Sequence, residues 1–492
     1  MLLHLDGRGA RYRQIYRSLK RMILAGELGE DARLPASRVL AQSLGVSRNV
    51  VLLAYDQLKS EGYISGRVGD ATRVCALPES GLESLQERVT MTPEQLPERR
   101  LSEQAGIALQ QWRRRCSGQR EQHLKYDFRY GEVSIDQRTV TLWKRLNSRL
   151  FDRSLLQYED PRGDPELREL IAGHARSGRG CHCDADQVCI VNGSQQALDL
   201  VARLLIRPET RVYLEEPGYL GSRACFETAG AGLHPLPVDV EGVDTSCLPE
   251  HVAQPALLYV TPSHQFPTGA ILSLSRRVAL LEWAQRNQSY IVEDDYDGEF
   301  RYQGRPIASL QGLDRGLRTL YVGTFSKVLF PSLRIGYVIL PRPLIEPFVA
   351  LRWLSDRQTN SHQQRVLAEF IRSGEYDRHL RRMGKRYQQR RQRLIEALQS
   401  HFSERIELQG INAGLHFLLW FRDEALAGRE RDLVTQAASE GLGIYPVSSL
   451  YLDSSPPRLG LLFGYSGIEE ERIEPGIRHL KALCDRLFWS GD

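Results

Sequence analysis

Gly323-Thr-Phe-Ser-Lys-Val-Leu-Phe-Pro-Ser-Leu-Arg-Ile-Gly-Tyr337 is the stretch around which the rest of the chain is organised. It follows Thr319-Leu-Tyr-Val322, an apolar run with the β-branched and aromatic content of a strand. Within it one lysine, Lys327, stands among small and hydroxylic residues. A lysine in an apolar pocket loses its proton readily and can attack an aldehyde, giving a Schiff base. Thr324 precedes it by three positions and Arg334 follows by seven. They supply a hydroxyl and a fixed cation, the kind of pair that holds a phosphate. Taken alone, the same residues also read as a surface lysine after a strand. The remainder of the chain decides between the two.

At 492 residues the chain is long enough for roughly two to four domains. Its 41% hydrophobic and 26% charged content excludes a disordered chain and predicts ample core. The N-terminus lacks an apolar run suited to a signal peptide, and no window approaches the roughly 18 apolar residues of a membrane helix. Eight cysteines without framework spacing predict a reducing, cytoplasmic setting. Cys181-His-Cys183, with Cys189 nearby, has thiols and an imidazole. One residue between cysteines is not structural zinc spacing, and no second ligand pair follows, so no metal is expected. Residues 1–75 carry 12 Lys/Arg against 7 Asp/Glu, so a basic module precedes a near-neutral body and points to nucleic acid.

In that module, Tyr12, Ile15, Leu19, Met22 and Ile23 recur at helical spacing over residues 11–25. Ser37 to Leu44 reads as a second helix and Gly45-Val46 as a turn. Ser47 caps a third helix, Asn49 to Glu61, with Val50, Leu53, Ala54 and Leu58 inward. Two short helices about a glycine turn predict a helix-turn-helix, and the glycine-punctuated segment 62–74 predicts a two-stranded wing. Arg48 and Asn49 would face base edges of double-stranded DNA. Ser37, Arg38, Arg67 and Arg73 would hold phosphates. A three-helix interaction module with solvated arginines is the plainer alternative.

Residues 77–125, with Pro78, Pro93 and Pro97 among polar residues, read as a linker carrying an amphipathic helix near 101–115. From Tyr126 onward strand-like and helical segments alternate, predicting α/β with a mostly parallel sheet. Val188–Val191 runs into Asn192-Gly-Ser-Gln-Gln, a strand-to-helix turn whose free amides suit an anion. Arg211–Glu216 leads to Tyr219, an aromatic able to stack on a flat ring. Ser289-Tyr-Ile-Val-Glu-Asp-Asp-Tyr-Asp297 ends a strand in carboxylates. A carboxylate aimed at a pyridine nitrogen keeps it protonated, and either Asp294 or Asp295 could be that group. A ligand that uses an aldehyde, a phosphate and a pyridine ring together is pyridoxal 5'-phosphate. Residues 360–400 form an arginine-rich helical stretch, read as a solvated face. A small α+β subdomain closes the chain, and Arg458 is its candidate clamp for an effector carboxylate.

The string Leu34-Pro-Ala-Ser-Arg-Val-Leu-Ala-Gln-Ser-Leu-Gly-Val-Ser-Arg-Asn-Val50 resembles a GntR-type winged helix. Thr261-Pro-Ser-His-Gln-Phe-Pro-Thr-Gly269, Glu293-Asp-Asp-Tyr-Asp297 and Gly323-Thr-Phe-Ser-Lys327 complete the pattern. The whole chain resembles MocR/GabR-type transcriptional regulators, a GntR winged helix fused to an aminotransferase-like domain. That resemblance implies residues 1–76 as DNA-binding domain, 77–125 as linker and 126–492 as effector domain. The effector domain would be a pyridoxal-phosphate-dependent transferase of fold type I, with a mostly parallel seven-stranded sheet and a small α+β subdomain. By position, Lys327 would be the aldimine lysine, Asp294 the pyridine partner, Tyr296 the partner of the ring hydroxyl and Tyr219 the stacking residue. Ser194, Gln195, Thr324 and Arg334 would hold the phosphate, with Tyr158 reaching in from the second subunit of a homodimer. Phe266 replaces the asparagine of ordinary aminotransferases of this fold, which weakens the alternative of a working aminotransferase with a DNA-binding appendage. The effector would be an amino acid, an amine or pyridoxal phosphate itself.

Overall fold

Apolar side chains at helical spacing build the N-terminal unit from α1 (Arg11–Leu24), α2 (Ser37–Leu44) and α3 (Arg48–Ser60). A hairpin of β1 (Ile64–Ser65) and β2 (Arg73–Val74) follows, pairing Ile64 with Val74. In the computed structural model the chain is described over residues 3, 5–66, 71–77, 102–116, 124–153, 157–302, 307–453 and 455–489. It divides into two units, Met1–Arg100 and Leu101–Asp492. Ile15, Leu19 and Ile23 of α1 pack with Val51, Ala54 and Leu58 of α3 in one core. Burying each large side chain contributes about 1.5–3 kcal/mol, which holds three short helices that would not persist alone. Gly45 closes α2 in the left-handed region, φ 63°, where a residue without Cβ meets no penalty.

Three details of this unit differ from the sequence reading. The inward face of α3 is Val51, Ala54, Tyr55 and Leu58; Val50 is half-buried and Leu53 is 54% exposed. Four consecutive apolar residues, 50 to 53, leave the helical phase open, and packing against α1 selects it. Gln14 and Ser18 are buried on α1, whereas Tyr12 and Met22 are only half-buried. Ser47 stands at the N-cap position of α3 without a side-chain capping bond.

Of the stretch 77–125, residues 78–101 and 117–123 lie outside the described residues, and Glu103–Cys116 is a helix. After that helix the second unit continues with β3 (Tyr126–Asp127). Its main sheet uses β4 (Val188–Val191), β5 (Arg211–Glu216), β6 (Gly232–Asp239), β7 (Gly242–Val243), β8 (Leu257–Val260), β9 (Tyr290–Asp295), β10 (Thr319–Thr324) and β11 (Gly336–Ile339). The order is β4-β11-β10-β9-β8-β5-β6-β7. Seven strands form the predicted mostly parallel sheet, with β11 antiparallel to both neighbours; the two-residue β7 adds a hairpin at the β6 edge. Strands β4, β8 and β11 are buried along their whole length, as expected where helices cover both faces. Because β4, β5, β8, β9 and β10 run the same way, their carboxyl ends share one edge of the sheet, where ligands of open α/β folds sit.

The small subdomain carries an antiparallel sheet, β12 (Ile406–Gln409), β13 (His416–Phe421), β15 (Tyr445–Pro446) and β16 (Gly460–Gly464), in the order β12-β13-β16-β15. β14 (Leu442–Gly443) pairs with β3. The arginine-rich stretch becomes the helices Ser361–Arg372 and Glu375–Phe402. It is not wholly a solvated face. Arg390 is buried, donating to Ser134 Oγ at 2.6 Å and to the Ser466 carbonyl at 2.7 Å. No helix of the described residues is long and apolar enough to cross a membrane.

Candidate functional site

Lys327 lies in the turn that follows β10, half-buried, and its Nζ donates to the Gly131 carbonyl at 2.6 Å. A Cβ at Gly131 would stand 2.7 Å from that Nζ, so the amine and a glycine backbone share one tight space. On the neighbouring strand β9, adjacent carboxylates face opposite ways. Asp294 accepts from Tyr259 Oη at 2.8 Å. Its other oxygen, Oδ1, is buried without a hydrogen-bond partner among the described residues. Asp295 is committed elsewhere, to Arg179 at 2.6 Å and Tyr321 Oη at 2.5 Å. The parallel register pairs Tyr259 with Val292, so Asp294, two residues on, faces the same side as Tyr259.

Burial is the main cause that pushes the Asp294 carboxyl up to about 7; the Tyr259 hydrogen bond and the charge of Lys327 pull it down. Glu215 and Glu293 are also raised to about 7, again chiefly by burial. Glu215 is nevertheless held by Thr261 Oγ1 at 2.6 Å, and Glu293 by the amides of Leu310 and Gln311 at 2.8 Å each. Both brace loops. Of these three, only Asp294 has an oxygen without a hydrogen-bond partner among the described residues.

The turn after β4 supplies a second cradle. Gly193, φ 84°, caps the helix Ser194–Leu205, whose first-turn amides precede any helical acceptor. Arg334, itself left-handed at φ 52°, donates to the Asn192 carbonyl at 2.8 Å. Its guanidinium lies 3.0 Å from where a Gly193 Cβ would be. Thr324 is buried at the end of β10 and its Oγ1 accepts from the Ser326 amide at 3.2 Å. Ser326 Oγ is buried without a hydrogen-bond partner among the described residues. Gln195 and Tyr219 are tied together by a 3.1 Å hydrogen bond from the phenol to Oε1.

Tyr296 Oη lies 3.0 Å from His264 Nδ1. Phe266 sits among Tyr130, Tyr219, Tyr296 and His416, with ring centroids 5.3–6.1 Å apart, and its peptide bond to Pro267 is cis. Arg458 pairs with Glu407 at 3.0 Å and sits over Trp420, which belongs to the same apolar cluster as Phe266. Tyr158 is 84% exposed. Cys181 and Cys183 are buried thiols, pushed up to about 12 and about 11 by burial. In the N-terminal unit Arg38, Arg48 and Asn49 are exposed, Arg48 Nε donates to Ser37 Oγ at 3.3 Å, and Arg73 pairs with Asp31 at 2.6 Å. Arg67 lies outside the described residues.

Sequence reasoning passed over Tyr259, His264, His416 and Gly131. Tyr259 had a legible signal, since it alternates onto the face that Asp294 takes one strand away. His264 stands within the quoted 261–269 string, but its partners come from distant segments.

A family described as Aminotransferase class I and II matches residues 125–466, and the gntR family of bacterial regulatory proteins matches residues 11–74. The HTH-type transcriptional regulator YdeL of Bacillus subtilis is 37% identical over 474 residues, 96% of each chain. The probable rhizopine catabolism regulatory protein MocR of Rhizobium meliloti is 35% identical over 100% of this chain and 97% of its own. Among solved structures, the α-aminoadipate aminotransferase LysN of Thermus thermophilus matches with a TM-score of 0.69 at 24% identity, over 79% of this chain and 98% of that one. The aminotransferase class I and II fold is, in general, a pyridoxal-phosphate-dependent fold. The chain thus belongs to the MocR-type HTH transcriptional regulators, in which a gntR-family DNA-binding domain is joined to an aminotransferase-like domain.

Proposed function

We propose that this regulator holds pyridoxal 5'-phosphate in its aminotransferase-like unit and reads an amino acid, an amine or the cofactor itself there. Operator binding by its gntR-type unit would change in response. The observation that carries the reading is the buried Oδ1 of Asp294, without a hydrogen-bond partner among the described residues, on the same crevice edge as the Lys327 amine. A buried carboxylate oxygen left without a donor is costly unless a donor arrives, and a pyridinium N–H is such a donor. The donor set fits the rest of the molecule. Gly193, Ser194, Gln195, Thr324 and Arg334 offer amides, hydroxyls and one guanidinium for a phosphate.

When bound, pyridoxal phosphate supplies an aldehyde that exchanges amines and a ring that draws electron density. Lys327 would hold the aldehyde carbon, and Asp294 would hold the proton at the ring nitrogen. Tyr296 would hydrogen-bond the ring hydroxyl and Tyr219 would cover one face of the ring. Arg458 would take the carboxylate of an amino-acid effector. Tyr158, exposed on its loop, is suited to reach the phosphate of a second copy in a homodimer. On DNA, Arg48 and Asn49 would meet base edges while Ser37, Arg38 and Arg73 meet phosphates. The setting is cytoplasmic, where operator DNA is found.

Titrating the cofactor-loaded chain with a panel of amino acids, amines and free cofactor tests the reading, with footprinting on its own promoter region in parallel. A visible band displaced by one class of ligand, with an altered footprint, supports it. A band and footprint that no ligand changes count against it. Repeated turnover with a keto acid would favour an enzyme instead, and Phe266 among its four aromatic neighbours speaks against that outcome.

A further inference from the structure

His264 has no role in the reading above, yet it holds the phenol of Tyr296. Its Nδ1 lies 3.0 Å from Tyr296 Oη and 3.1 Å from Asp297 Oδ2. The imidazole is buried and clamped by backbone. A Cβ at Gly414 would fall 2.2 Å from its Cε1, and one at Gly269 would fall 3.1 Å from its Nε2. Both glycines have left-handed φ, 78° and 70°, so neither position accepts a side chain easily. The other titratable or charged groups around the ring are His416, with ring centroids 5.3 Å apart, and Arg179 and Arg301, which line the same small cavity.

For a neutral imidazole, one nitrogen with two oxygen neighbours has one consistent hydrogen arrangement. A carboxylate only accepts, so Nδ1 carries the hydrogen and gives it to Asp297. The Tyr296 oxygen is then a second acceptor of that N–H, and the phenol's own hydrogen points away from the imidazole. Nε2 is left as a bare lone pair. Nε2 of His264, Oδ1 of Asp297 and Nε of Arg301 are all buried without hydrogen-bond partners among the described residues, and the three residues line one cavity.

We infer that Asp297 and His264 form a positioning pair that keeps the Tyr296 phenol a hydrogen-bond donor toward the ring oxygen of the cofactor, an inference that rests on the cofactor reading proposed above. The pair touches no substrate. Asp297 sets the tautomer, His264 sets the direction of the phenol hydrogen, and Tyr296 makes the contact.

The test reads the visible band of the full-length, pyridoxal-phosphate-loaded chain as a function of pH. A hydrogen bond given to the ring oxygen stabilises its anionic form, and so lowers the pH at which the band titrates. Asparagine presents an N–H where Nδ1 stood, and glutamine presents one where Nε2 stood. His264→Asn keeps the wild-type midpoint, whereas His264→Gln raises it by about one pH unit, a tenfold change in proton affinity. In a Tyr296→Phe background neither substitution moves it. A wild-type midpoint in His264→Gln, an equal displacement by both substitutions, or a displacement that survives Tyr296→Phe overturns the inference. Nitrogen-15 histidine spectra of the unsubstituted chain check it without any variant. Nδ1–H at His264 supports the pair, and Nε2–H overturns it. A chain that forms no band at all overturns the cofactor reading and this inference together, while a band indifferent to residue 264 overturns this inference alone.

Discussion

Tyr259 donates its phenol hydrogen to Asp294 Oδ2 at 2.8 Å, while Oδ1 of the same carboxylate is buried with no hydrogen-bond partner among the described residues. One donor for two buried oxygens is too little to offset the loss of water, so burial dominates and the carboxyl is pushed up to about 7. A site in this condition is prepared for a cation or an N–H from outside the chain.

The pH dependence of stability follows from that shift. In the unfolded chain an aspartate gives up its proton near 3.9, and in the folded chain this one keeps it to about 7. Between those values the folded state binds more protons, so the contribution of Asp294 falls as pH rises through the window. Asp294→Asn removes the effect. In cofactor-free urea melts the variant should gain on the wild type by about 2 kcal/mol between pH 5 and pH 7. A difference that stays flat or falls with pH would show that the carboxyl is not held neutral.

Lys327→Ala should abolish the visible band of the cofactor-loaded chain and weaken cofactor retention by about tenfold or more, leaving only reversible contacts. Dialysis followed by absorbance measures both. A band that persists in this variant and is reducible by borohydride would move the covalent site to another lysine.

At the other end of the chain, Arg73 is pinned to Asp31 at 2.6 Å, an exposed pair worth little to stability. Asp31→Ala should free the guanidinium for a phosphate and steepen the dependence of log binding constant on log salt by about one. Arg48→Ala should cost about 1–3 kcal/mol on the preferred site and much less on random DNA, narrowing the ratio between them. Fluorescence anisotropy at several salt concentrations reads both. Promoter selectivity unchanged in Arg48→Ala would remove that residue from base readout.

Arg458→Ala should leave the cofactor band in place and alter stability by less than about 1 kcal/mol, since its pair with Glu407 is partly exposed. Effector potency should fall about tenfold or more for ligands carrying a carboxylate and stay level for simple amines. Equal potency of both classes in the variant would mean that a different group receives the carboxylate.

Much of this is legible in the sequence itself, for a local reason. Buried parallel strands appear as short apolar runs, and the residues that follow each run stand at the sheet edge where ligands bind. Lys327, Thr324, the Asp294/Asp295 pair, Tyr219 and the Gly193 turn could therefore be named as candidates from strand ends alone. The helix-turn-helix was equally local, because Gly45 and the flanking periodicity lie within about four helical turns of one another.

Other features depended on contacts between distant segments. Adjacent aspartates point to opposite faces of a strand, and a string of carboxylates carries no mark of which face is which. The choice came from Arg179 and Tyr321 closing on Asp295 while Tyr259 approached Asp294. The phase of α3 was open for the same reason, since Val50 to Leu53 are all apolar and only α1 selects Val51. His264 gains its meaning from Tyr296, Asp297, Gly269 and Gly414, of which only Gly269 lies near it in sequence. Pairing across a fold is a property of register and packing, and neither is written at the residue that depends on it.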